Sequence, residues 1–180
     1  MTRIGKIVGL TVFTLAFLVP AQAELPVGRK APIFSTQAAL AGQQFTFSLR
    51  DALKKGPVVL YFYPKAFTQG CTLEAHEFAE AMPQFKAAGA SVIGMSNDDI
   101  PTLKRFSREE CRDAFPVGVA STKTINAYDV ARIVDGKRTG TTTRTSYVIA
   151  PNGRIVMVHS DMDYRDHVKL TLAAVKKLAR

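Results

Sequence analysis

The chain switches between two hydrophobic periods, and the switches mark its elements. Residues 58–63 (VVLYFY) form an unbroken apolar run, which predicts a strand buried on both faces. Pro64 has no N–H to give a ladder and ends it. Beyond a short loop ending at Gly70, Leu73, Ala75, Phe78, Met82 and Phe85 recur at helical spacing, with Cys71 at the head of the pattern. Pro83 inside the pattern predicts a kink, because it removes one hydrogen bond and crowds the preceding turn, and Gly89 closes the helix. Residues 91–95 (SVIGM) predict a second buried strand. Two such strands joined by a helix make a parallel pair.

The flanking pattern extends this unit on both sides. Residues 36–49 predict two short strands around Ala41-Gly42-Gln43, with Phe45 and Phe47 alternating against polar neighbours, then a helical turn over 50–55 stopped by Gly56-Pro57. Pro101 suits the first positions of a helix that carries Leu103, Phe106, Glu110 and Cys111. An apolar run at 117–120, a short helix over 122–130 and a polar loop over 131–143 follow. Residues 144–150 and 155–159 alternate and are joined by Pro151-Asn152-Gly153, a hairpin. A last helix lies within 164–179, its basic final turn favoured by the helix dipole. This order is the plan of an α/β, thioredoxin-like fold: a central mixed sheet, flanking helices and an N-terminal hairpin extension.

The N-terminus is set apart. Arg3 and Lys6 precede an apolar run over 7–19, too short to span a bilayer, and Ala21-Gln22-Ala23 is a small-x-small cleavage site. Residues 1–23 are therefore expected to be a cleaved signal peptide and residues 24–180 one exported domain, most simply periplasmic, with no stable membrane insertion after cleavage. Without Arg3 and Lys6 the 24 basic side chains fall to 22 against 15 acidic ones, and the net charge from +9 to +7. The basic residues are scattered and not interleaved with aromatics, so no nucleic-acid partner is expected. Export places the two cysteines, Cys71 and Cys111, in an oxidising compartment.

The candidate chemistry sits where strand, turn and helix meet. The first N–H groups of a helix lack partners and carry partial positive charge, so Cys71 stands where a thiolate is favoured. Thr68 lies three residues upstream, able to give or take a hydrogen bond. Read alone, Cys71 also fits a small core residue, Thr68 a turn residue bonding its own backbone, and Pro64 a strand terminator.

Pro64-x-x-x-Thr68-x-x-Cys71 resembles the active-site motif of the peroxiredoxins, and the longer string YPKAFTQGCTLEAHEF is similar to their bacterioferritin-comigratory (PrxQ-type) branch. Val27-Gly28 with Ala31-Pro32-x-Phe34 resembles the opening segment of the same family. The resemblance implies a thiol-dependent peroxidase acting on hydrogen peroxide and organic hydroperoxides through a cysteine sulfenic acid. It implies Cys71 as the peroxidatic nucleophile, with Thr68 binding the peroxide and Pro64 shielding the thiolate. It further implies Arg144, just ahead of the hairpin's first strand, as the fixed cation, and Glu74 as a matching position. Arg154 is a rival to Arg144 by type but sits on the hairpin's far side; an exposed strand-end arginine is the plainer reading of either. Many members of the branch carry a resolving cysteine five residues after the nucleophile, where this chain has His76; others use a cysteine on the next helix, and the resemblance to these implies Cys111, near that helix's end, as the candidate resolving cysteine. A bridge needs Cα atoms within ~7 Å, which unwinding the first helical turn after Cys71 could allow. A thioredoxin-like reductant and a monomer are implied as well.

No cofactor or metal is expected: His76, His159 and His167 have no ligand spacing, and C-x-x-C and glycine-rich phosphate loops are absent from the sequence. Two alternatives remain. A thiol-disulfide oxidoreductase on the same fold would normally need C-x-x-C. A non-catalytic exported domain could be stapled by one Cys71–Cys111 disulfide, worth roughly 4 kcal/mol for a loop of about forty residues.

Overall fold

The computed structural model describes residues 24–179. The expected signal peptide, 1–23, lies outside the described residues.

Strand β3 (Val58–Phe62) sets the layering. Side chains alternate across a strand, and both faces of β3 are buried. Val59, Tyr61 and the following Tyr63 enter one core cluster; Val58, Leu60 and Phe62 enter another. The first cluster is closed by α2 (Gln69–Ala87), α3 (Ile100–Glu109) and α5 (His167–Leu178), through Phe78, Phe85, Leu103, Phe106, Val168 and Val175. The second is closed by α1 (Leu49–Leu53) and α4 (Thr122–Ala127), through Leu49, Leu53 and Ile125.

The seven-stranded sheet runs β2-β1-β5-β4-β3-β8-β9. Its centre is parallel: β3 pairs with β4 (Ser91–Ser96), and β4 with β5 (Val117–Val119). The N-terminal hairpin, β1 (Ser35–Leu40) and β2 (Gln43–Ser48), adds antiparallel to β5. On the other side β8 (Thr145–Ile149) pairs antiparallel with β3, and β9 (Ile155–Ser160) with β8. The result is the thioredoxin-like α/β fold.

Three local expectations change. The polar loop over 131–143 is a separate two-stranded ribbon, β6 (Ala131–Val134) with β7 (Lys137–Thr142). Its turn has Asp135 and Gly136 both at positive φ (50° and 73°), the twist that suits two-residue hairpin loops. Pro83, where a kink is expected, lies inside α2, and the helix continues past it with Phe78, Met82 and Phe85 buried. Phe45 is exposed on β2 while Phe47 is buried. Finally, α3 stops at Glu109, so Cys111 lies in the turn beyond the helix and not on it.

Candidate active site

The loop between β3 and α2 is pinned at its start. The Tyr63 N–H donates to the Met95 carbonyl (3.0 Å), and the Tyr63 carbonyl accepts from the Thr142 hydroxyl (2.8 Å). The Ala66 N–H donates to Asp98 Oδ2 (2.8 Å), which also takes the Ser96 hydroxyl (2.8 Å). Asp98 follows β4, at the carboxyl edge of the parallel strands where open α/β sheets place their sites. Phe67 has φ +63°, a left-handed backbone that costs a residue with a Cβ roughly 1–2 kcal/mol. Its ring is held edge-on against Phe106 (5.2 Å) and under the Arg105 guanidinium (5.0 Å). Thr68 then returns to extended backbone and starts α2.

Cys71 is the third residue of α2, within the turn whose N–H groups have no helical partners. Its side chain is nearly closed off, at 2 % exposure, below the exposed residues Lys65, Phe67, Thr68 and Gln69. Arg144, at the mouth of β8, is buried and divides its donors three ways. Nη2 donates to Cys71 Sγ (3.6 Å), Nη1 to Glu74 Oε2, and Nε to the Met162 carbonyl (3.0 Å). A rigid planar fork can do this; an ammonium cannot. Gly70 leaves room for it, since a Cβ there would lie 3.1 Å from Nη2.

Glu74 is fully buried one turn into α2. Burial pushes its carboxyl up to about 8, against the opposing pull of Arg144. Burial also works against the charge on Arg144, but the pull of Glu74 and Cys71 outweighs it and holds the guanidinium above its usual value. The two directions compete, the first favouring a neutral carboxyl and the second an ionised one. The upward shift of Glu74 is the firmer, because its second oxygen, Oε1, is buried with no hydrogen-bond partner. That oxygen faces His167 Nδ1 at 3.8 Å. His167 is buried, and burial drives it down to about 4, so it is neutral at pH 7. Its Nε2–H donates to the Asp161 carbonyl (3.0 Å), leaving Nδ1 to accept from the Ser146 hydroxyl (2.8 Å). Sequence reasoning missed Asp98, Ser146 and His167. Asp98 had one signal, a polar turn directly after a buried strand.

The structure thus brings Cys71, Glu74 and Arg144 together. Pro64 is half-buried at the loop's start. The Thr68 hydroxyl donates to the Lys65 carbonyl (2.9 Å), so its oxygen keeps lone pairs free but makes no hydrogen bond with Cys71 here. Arg154 lies elsewhere, donating to the Gly28 carbonyl (2.8 Å). Both cysteines are free thiols, which weighs against a permanent structural staple. Burial pushes the Cys111 thiol well up, and Glu110 and Asp113 push it the same way. Cys111 therefore lies where it is a weak nucleophile.

Three comparisons bear on this site. The AhpC/TSA family matches the chain over residues 27–158. Among curated proteins, the peroxiredoxin Bcp of Xanthomonas campestris pv. campestris is 32% identical over 126 residues, covering 68% of this chain and 78% of the relative. A putative peroxiredoxin bcp of Helicobacter pylori is 29% identical over 154 residues, 84% of this chain and 99% of the relative. Among solved structures, the peroxidoxin BcpB of Mycobacterium tuberculosis superposes with a TM-score of 0.75 at 28% identity, covering 84% of this chain and 97% of that one. The bacterioferritin comigratory protein of Xanthomonas campestris, described for its alkyl peroxide reduction activity, gives 0.70 at 30% identity, covering 80% and 92%.

Proposed function

The chain belongs to the AhpC/TSA family, in its bacterioferritin-comigratory (peroxiredoxin Q) branch, and from that premise we propose how this thiol-dependent peroxidase works and where. The observation that carries the reading is the buried guanidinium of Arg144 donating to Cys71 Sγ at the mouth of α2. Cys71 attacks one oxygen of a peroxide as the thiolate. The S–O bond forms as the O–O bond breaks; the sulfur is oxidised to a sulfenic acid, and the departing oxygen takes a proton to leave as water or an alcohol. Negative charge moves from sulfur to the leaving oxygen, so donors fixed beforehand lower the barrier. Arg144 is one. The loop's free N–H groups and the Thr68 hydroxyl, turned from Lys65 toward the substrate, are others.

The sulfenic acid then reacts with the Cys111 thiol, forming a disulfide and releasing water. A thioredoxin-like dithiol restores both thiols and leaves as its own disulfide. Hydrogen peroxide and organic hydroperoxides are both substrates, the latter in line with the activity described for the Xanthomonas campestris relative. The enzyme works as a monomer in the periplasm, after cleavage following Ala23. That cut leaves Leu25, the second residue of the exported chain, free to take its buried position.

The test is direct. Reduced protein beginning at Glu24 consumes hydrogen peroxide rapidly, and Cys71→Ser abolishes the reaction without unfolding the chain. Equal, slow consumption by both proteins would remove the catalytic role of Cys71.

A further inference from the structure

The sequence offers unwinding of the first turn of α2 as one way to bring the two cysteines together; the contacts point to the other partner. We propose that the turn after α3, Glu110 through Asp113, is the segment that moves, and that the His76–Glu110 pair is the clamp that times it. His76 and Glu110 are thus positioning residues for the resolving step. This rests on Cys111 being the resolving cysteine.

Consider what holds each cysteine. Cys71 is fixed by a buried guanidinium, itself tied to buried Glu74 and to the Met162 carbonyl, and by the Thr72 N–H to Thr68 carbonyl bond (2.9 Å) of the first helical turn. Breaking a buried charged contact strands a charge and is strongly unfavourable. Cys111 is held by backbone bonds of its own turn, its N–H donating to the Phe106 carbonyl (3.0 Å), its carbonyl accepting from the Ala114 N–H (2.9 Å) and the Asp113 N–H donating to the Ser107 carbonyl (3.0 Å), but by no buried charge. Past the end of α3, Arg112 and Asp113 are both in left-handed backbone, at φ 52° and 57°. A run of two such non-glycine residues is strained. Side-chain hydrogen bonds to α2 restrain the turn further. His76 Nε2–H donates to Glu110 Oε2 (2.8 Å), both side chains partly exposed, and Arg112 Nη1 donates to the more exposed Glu80 (3.2 Å). Such pairs are weak.

Geometry says that something must move. His76 lies five residues along α2 from Cys71, about 7.5 Å of helical rise. The clamp therefore pins the turn a full turn of helix below the reacting sulfur. The Cys111 side chain is wholly buried in the cluster that holds Tyr61. Leaving it is eased by Tyr61, whose hydroxyl is buried without a partner within electrostatic reach of Cys111 and would gain water as the thiol departs. Water would also relieve the burial that keeps Cys111 protonated. While the clamp holds, the sulfenic acid waits, and a second peroxide can oxidise it to the sulfinic acid with release of water.

The experiment compares the protein from Glu24 with Glu110→Ala and His76→Ala. Each is mixed, reduced, with one equivalent of hydrogen peroxide, quenched over time with dimedone and an alkylating agent, and weighed by mass spectrometry. The rate of Cys71 oxidation is expected to be unchanged. Conversion to the disulfide should speed up about five-fold, or about 1 kcal/mol at 1.4 kcal/mol per factor of ten. Sulfinic acid formed in excess peroxide should fall. Unchanged conversion in both variants overturns the clamp and leaves Cys111 as the resolving cysteine. No disulfide in the parent protein overturns that underlying reading. Amide hydrogen exchange of the reduced parent needs no variant: residues 110–114 should exchange faster than 71–75, and the reverse order would assign the motion to α2.

Discussion

At the scale of the residue, the site depends on one side chain touching three partners. Arg144→Lys keeps a positive charge but cannot reach Cys71, Glu74 and the Met162 carbonyl together. The second-order rate constant with hydrogen peroxide should fall by about 10²-fold, the usual effect of removing one fixed donor, as read by stopped-flow competition. A fall of less than a few-fold would mean that charge alone suffices. The buried acid beside it has a signature of its own. Burial holds Glu74 up to about 8 where the free side chain sits at 4.5, so the folded chain keeps a proton that the unfolded chain has lost. That stabilisation is whole below pH 4.5 and is lost as pH rises to 8. His167 runs the opposite way: at about 4 against 6.5, its contribution is present above pH 6.5 and lost as pH falls to 4. The two oppose each other between 4.5 and 6.5, and above 6.5 only Glu74 remains. Unfolding free energy should therefore drop by about 2 kcal/mol from pH 6.5 to 8, and Glu74→Gln should flatten that slope. Urea titrations at both pH values test it; parallel slopes in the two proteins would place the ionisation elsewhere.

At the scale of the element, the loop inherits its position from the register of β3 on β4. Tyr61 pairs with Gly94, and a Cβ on Gly94 would come within 2.7 Å of the Tyr61 ring. That ring cannot retreat, being stacked on Phe78 (4.4 Å) and packed against Phe115 (6.1 Å). Gly94→Ala should thus destabilise the protein by about 2–3 kcal/mol and lower peroxidase activity with it, whereas a chain that melts at the parent's temperature would show the sheet more pliant than drawn. These elements were the ones legible in sequence. An unbroken apolar run, a proline and a helical period locate β3, the loop and α2 because local physics and tertiary packing agree there. The ribbon β6–β7 is not legible, since ARIVDGKRTGTT has no clean alternation and its Asp135-Gly136 turn lies in a stretch polar enough to suit a loop. Nor is the end of α3: the helical spacing of Leu103 and Phe106 extends naturally to Cys111, and only the left-handed pair behind it shows where the chain leaves the helix. Arg144 came from resemblance, as nothing in its neighbours tells a buried strand-end arginine from an exposed one. Its partners across the fold, Glu74 excepted, have no signal in the order of the chain.

At the scale of the whole molecule, the segment ahead of β1 acts as a strap over the β8–β9 hairpin, on the side of the sheet away from α2. The Leu25 N–H donates to the Tyr147 hydroxyl (3.2 Å), which donates in turn to the Tyr128 carbonyl (2.9 Å). Gly28 N–H meets the Ile155 carbonyl (2.8 Å), Ile155 N–H the Arg29 carbonyl (2.9 Å), and Ala31 N–H the Gly153 carbonyl (2.9 Å). The Tyr128 hydroxyl donates to the Pro32 carbonyl (2.8 Å). These bonds close the second core cluster, whose members Leu60 and Phe62 form the back of the strand that carries the active-site loop. The proposed cleavage and the fold are thereby compatible only within a narrow range of cuts. A chain beginning at Glu24 keeps every contact of the strap; one beginning at Phe34 leaves Tyr128 and Tyr147 short of partners and opens the cluster to water. The shorter chain should melt about 10 °C lower, equivalent to about 3 kcal/mol at this length, and lose peroxidase activity on warming before the longer one does. Equal melting temperatures would mean that the strap only decorates the sheet, and that the position of the proposed cleavage is free of any demand from the fold.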